Sequence, residues 1–128
     1  MFLAIKKYNA HPKSLKTTDY VVRAIAIATN SDYMETRREL NRKKRELGYT
    51  SYKHTKFLYD YFKGYPILIF KAVKCEPRIK GSDFTKLHPK GTYILKIAEH
   101  ITVCVDGVIQ DTWDCSYRSV YTAWDLKI

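Results

Sequence analysis

Apolar positions change their period about halfway along the chain. Up to Gly64 they recur at helical spacing, and after it they alternate as strands do. Asp19 is a candidate N-cap for a helix over 20–29, where Val21, Val22, Ala24, Ile25, Ala26, Ile27 and Ala28 leave only Arg23 charged. A helix apolar nearly all round is a buried one. Its β-branched residues also suit a central strand, and its alanines favour the helix. Ser31 or Asp32 caps a second helix that runs to Leu47, with Gly48 in the position after the cap. Tyr33, Leu40 and Leu47 share one face of it. A third helix is predicted over 52–62 and closed by Gly64.

Beyond Gly64, residues 66–73 read as a strand rich in β-branched and aromatic residues. Residues 82–87 make one capped helical turn, and 88–91 a loop. Strands follow over 92–98, 101–105, 108–113 and 119–124. Helices first and strands after predict an α+β domain, with N-terminal helices packed on a mainly antiparallel C-terminal sheet. The length of 128 residues suits a single domain spanning 1–128.

Asp106-Gly107 between two alternating runs is a type I′ hairpin signal. That turn sets Val105 opposite Val108, Cys104 opposite Ile109, and Thr102 opposite Asp111. His100 and Asp111 become diagonal neighbours, within reach of long side chains. A carboxylate so placed accepts the imidazole Nδ1 proton and stabilises the imidazolium. The same two residues also suit an ordinary solvated polar pair.

Composition narrows the field. Hydrophobic residues make up 45% and charged residues 28%, as in globular proteins. No apolar run reaches the length of a membrane span, and the charges near the start follow a very short apolar stretch, unlike a secretory signal. Cytoplasmic location without membrane attachment is the expectation. Three cysteines, Cys75, Cys104 and Cys115, fit no disulfide framework, and four histidines show no zinc spacing. No metal and no cofactor is therefore expected.

A formal charge of +10 favours acidic partners. The densest basic stretch carries Arg37, Arg38, Arg42, Lys43, Lys44 and Arg45. It fits a phosphate-contacting face for DNA or RNA, or a face for an acidic partner, and equally a solvated helix surface. Among the 11 tyrosines, Tyr49, Tyr52, Tyr59, Tyr61 and Tyr65 cluster around the third helix. They suit binding hot spots, stacking on single strands, or packing.

Several short motifs occur in one order: Thr18-Asp19-Tyr20-Val21-Val22-Arg23-Ala24-Ile25, Gly91-Thr92-Tyr93-Ile94-Leu95, His100 before a strand, and Asp106-Gly107 leading to Asp111-Thr112-Trp113. In this order the chain resembles the compact papain-like cysteine peptidases of bacteriophages and their hosts, roughly over 18–124. In that family a nucleophilic cysteine opens a long buried helix, and histidine and aspartate follow from the sheet. The resemblance puts Tyr20 at the nucleophile position, with His100 and Asp111 completing a degenerate triad. A phenol is a poor acyl-transfer nucleophile, with an ordinary pKa near 10. The resemblance thus implies a catalytically inactive, phage-type accessory protein that binds or inhibits a host protein or protein–nucleic-acid complex, such as a defence or nucleic-acid-processing system. A nucleic-acid-binding protein using the basic helix is the first alternative. A cysteine-dependent hydrolase with a displaced nucleophile, for which Cys104 and Cys115 are weighed, is the second. Asn9 is the upstream candidate for an oxyanion donor, and a turn residue before His11-Pro12 is its simpler role.

Overall fold

The computed structural model describes residues 5–12 and 19–128. Thr18 of the helix-opening motif and the first four residues of the chain lie outside them. The chain is α+β, with four helices and a six-stranded mixed sheet among the described residues. In order these are β1 (Ile5–Lys7), α1 (Tyr20–Thr29), α2 (Tyr33–Glu46), α3 (Thr55–Tyr61), β2 (Ile67–Ile69), α4 (Gly81–Leu87), β3 (Thr92–Ile97), β4 (His100–Val105), β5 (Val108–Asp111) and β6 (Thr122–Asp125). The sheet runs β1-β5-β4-β3-β6-β2.

Two expectations are corrected. The N-terminal third is not wholly helical, because Ile5–Lys7 pairs in parallel with Ile109, Gln110 and Asp111. Three residues show too little alternation to announce a strand, and the partner lies a hundred residues away. The sheet is consequently mixed at this edge and antiparallel at every other pairing. The 66–73 strand is also shorter than its composition suggests. Only Ile67–Ile69 pairs, after which the chain leaves the sheet into a Val73–Glu76 bridge.

Local signals elsewhere act as the residues dictate. Asp106 and Gly107 both take positive φ, 47° and 77°, the backbone a type I′ turn needs. The turn fixes the pairs Val105–Val108, Cys104–Ile109 and Val103–Gln110. Asp32 caps α2, its carboxylate accepting the Glu35 amide at 3.0 Å. At the other end Gly48 at φ 79° donates to the Arg45 carbonyl while Tyr49 donates to that of Lys44, a Schellman closure.

α1 lies across the centre of the sheet, against β4, β3 and β5, with α2 packed on its outer side. Alternation divides the core. Ile94, Ile101, Val103 and Trp124 join Val21, Val22, Ile25, Leu40, Phe57 and Phe62 on the helix side. Tyr93, Leu95, Ile97, Cys104 and Ile109 meet Phe84 of α4 on the opposite face. The tyrosines around α3 belong mostly to packing: Tyr49 and Tyr61 meet Phe57, and Tyr59 sits edge-on to Trp124.

Candidate functional site

The first residue of α1, the first of β4 and the last of β5 converge at one end of the sheet. Tyr20, His100 and Asp111 are these three residues. The Tyr20 ring lies 5.0 Å from the His100 ring, and Trp113 lies 5.1 Å from the same imidazole. His100 Nε2 stands 2.7 Å from Asp111 Oδ2, with both side chains buried. The sequence reading assigned this bond to Nδ1. His100 and Asp111 are diagonal rather than directly opposed, and Asp is short, so the far nitrogen of the ring makes the reach. The Lys53 ammonium lies 5.7 Å from the Tyr20 ring centre.

Asp111 is the electrostatic hub. Burial pushes its carboxyl up, yet the His100 bond, the adjacent Thr102 hydroxyl, the imidazole's charge and the Thr112 amide together hold it below the usual carboxylate range. Arg23 approaches from α1, its Nη2 3.8 Å from Asp111 Oδ1. Arg23 is itself buried and also pairs with Asp19 one turn earlier. Asp19 sits at the N-cap position, but its side chain makes no capping bond. Its carboxylate is turned to Arg23 and the Tyr33 hydroxyl instead. A buried guanidinium between two carboxylates is how the chain neutralises a charge it cannot leave unpaired.

Two further residues join the cluster, Thr102 from the position the hairpin register sets opposite Asp111 and Cys115 from the turn beyond β5. Cys115 Sγ lies 3.7 Å from Asp111 Oδ2, because the turn after β5 doubles the chain back onto the strand end. Thr102 is fully buried and faces Asp111 and Cys115. Its Oγ1 is the one buried side-chain polar atom among the described residues without an aligned hydrogen bond. Burial first, and the Asp111 charge second, push the Cys115 thiol up to about 12. Burial alone is the main cause for Cys104, also about 12. At neutral pH roughly one such thiol in 10^5 is ionised, so neither is an activated nucleophile.

His100, Asp111 and Cys115 offer nitrogen, oxygen and sulfur within 4.8 Å of one another, the donor kinds that zinc accepts. A cation there would displace the His100–Asp111 hydrogen bond and face Arg23 across the same carboxylate. The trio therefore fits a hydrogen-bonded core better than a metal centre. The space bounded by Tyr20, Arg23, Ile101, Thr102 and Asp111 leaves no room for a water molecule. Burial, then the charge of Glu99, raises the Tyr20 phenol above its ordinary value, which keeps it protonated.

The basic residues lie together on α2, on the layer outside α1. Arg42 is held by Glu39 and Glu46, and Lys43 lies 3.5 Å from Glu46. Arg37, Arg38, Lys44 and Arg45 have no carboxylate within ion-pair distance among the described residues. Asn9 Oδ1 accepts the His11 amide at 3.0 Å, the geometry of a turn residue. Among the described residues no helix is long and apolar enough to cross a membrane.

No family model, curated protein or solved structure matches the chain.

Proposed function

We propose that this chain is a catalytically silent papain-like domain that acts by binding. The observation that carries this reading is the tyrosine at the start of α1, with its ring 5.0 Å from an imidazole bonded to a buried carboxylate. A helix N-terminus beside a histidine is where a thiolate gains most from the dipole and from the imidazolium. A phenol kept protonated gains nothing there, and its ring takes up the volume a scissile carbonyl would need. The space below it admits no water. Neither buried thiol supports a displaced nucleophile.

The resemblance to phage-type papain-like peptidases adds the context of an accessory protein that binds or inhibits a host macromolecule in the host cytoplasm. A charge of +10 directs it to an acidic protein patch, or to nucleic acid already held by a host protein. A second reading is direct DNA or RNA binding by α2. It is favoured by Arg37, Arg38, Lys44 and Arg45, which have no carboxylate partners among the described residues.

The test is capture from bacterial lysate with the tagged protein, with and without nuclease, alongside Tyr20→Ala. A host protein that survives nuclease and is lost with Tyr20→Ala supports the first reading. Capture that vanishes with nuclease favours the second.

A further inference from the structure

The strand β2 closes one end of the sheet and pairs only with β6. Hydrogen bonds from Asp125 N to Pro66 O and from Phe70 N to Tyr121 O, each 2.9 Å, fix which residues face β6. In an antiparallel ladder such residues alternate. Pro66, Leu68 and Phe70 therefore turn their backbone groups inward, and Ile67 and Ile69 turn N–H and C=O to the open edge. Both isoleucines are also exposed as side chains, by 39% and 57%, and Leu68 between them by 38%.

Sheet edges are ordinarily blunted by charges pointing along them, by bulges or by a covering element. Here three consecutive apolar residues stand uncovered among the described residues. The segment over 63–74 contains Lys63, Lys71 and Lys74, all exposed, and no carboxylate. None of the three lysines has an ion-pair partner among the described residues. Arg78 adds a cation at the end of the strand. Its Nε donates to the Phe70 carbonyl at 2.9 Å and its guanidinium lies 4.5 Å from the Tyr121 ring centre.

We infer that the open edge of β2 accepts an extended, acidic segment of a partner protein as an added strand. Ile67 and Ile69 supply the backbone hydrogen bonds and an apolar contact. Lys63, Lys71, Lys74 and Arg78 select for carboxylates on the incoming chain. Strand addition takes affinity from main-chain bonds and specificity from alternate side chains, and this edge offers both. A second copy is the poorer occupant, since it would bring the same lysines and a second charge of +10 to the contact. The inference rests on the reading of the chain as a binding protein, but on a surface separate from Tyr20.

The test uses a fluorescein-labelled nonapeptide of alternating valine and glutamate, followed by anisotropy at low salt and by amide shifts in ¹⁵N-labelled protein. Saturable binding is expected, with the largest shifts at Ile67 and Ile69. The same peptide N-methylated on alternate residues is expected to bind at least about fivefold more weakly, since at least one backbone hydrogen bond to Ile67 or Ile69 is lost. Ile69→Pro removes an outward N–H without touching a bond to β6, and a similar loss is expected. If that variant fails to fold, the N-methylated peptide on the unaltered protein decides alone. Absence of saturable binding, equal affinity for the N-methylated peptide, or shifts centred on α2 would overturn the inference. Tyr20→Ala is expected to bind the peptide normally, so failure at this edge and failure of the reading centred on Tyr20 are told apart.

Discussion

Replacing Asp111 with asparagine removes one charge from the centre of the buried cluster and little volume. Asp111 accepts from His100 Nε2 and from the Thr112 amide, each at 2.7 Å, and faces Arg23 at 3.8 Å. Asparagine retains an oxygen for one donor, but the charge-assisted character of these bonds is lost. Hydrogen bonds to charged groups contribute roughly 1.5–3 kcal/mol. Arg23 keeps Asp19, which limits the cost below the roughly 3–5 kcal/mol of a fully orphaned buried charge. We expect Asp111→Asn to destabilise by about 2–3 kcal/mol at pH 7, which for a chain of this size lowers Tm by about 6–12 °C. The pH dependence follows from the direction of the shift. A carboxyl held below its unfolded value stabilises the fold above the unfolded pKa of about 3.9, and that stability is lost as pH falls through the lower folded value. The gap between wild type and variant should therefore be present in full at about pH 5 and shrink below about pH 4. Urea denaturation at a series of pH values measures it. A gap under about 0.5 kcal/mol, or one that persists undiminished at pH 3, would refute the reasoning.

Three other outcomes follow from the same geometry. Arg23→Met leaves Asp19 and Asp111 as buried carboxylates without their shared cation, and should cost about 3–5 kcal/mol by urea denaturation. In the native protein Ellman's reagent should label one of the three cysteines promptly, the exposed Cys75, and reach Cys104 and Cys115 only in denaturant. If α2 contacts generic duplex DNA, a filter-binding salt titration should show its slope fall by about 2 for Arg37→Ala with Arg38→Ala. Arg42→Ala should change it little, because Glu39 and Glu46 already engage that guanidinium.

What the sequence makes legible depends on how local the determining contact is. Asp106-Gly107 fixes a register by itself, and that register carries His100 to Asp111. Gly48 ends α2 through bonds spanning only a few residues. The strand Ile5–Lys7 depends instead on a parallel partner at the far end of the chain, which no local pattern announces. Cys115 reaches Asp111 through an irregular turn, so its spacing matches no motif. Asp19 looks like a cap by type and position. A tertiary partner, Arg23, draws its carboxylate away from the helix amides. Even the choice of Nε2 over Nδ1 was set by the diagonal offset of two strands rather than by residue identity.

The proposed function rests on Tyr20 occupying a nucleophile's position beside the His100–Asp111 pair. Tyr20→Cys in a Cys75→Ser background tests it, read as the pH dependence of iodoacetamide alkylation at residue 20. We predict rapid labelling with an apparent pKa well below the ordinary value of about 8.5, returning towards it when His100→Ala is added. A thiol at position 20 that titrates normally and is indifferent to His100 would contradict the account.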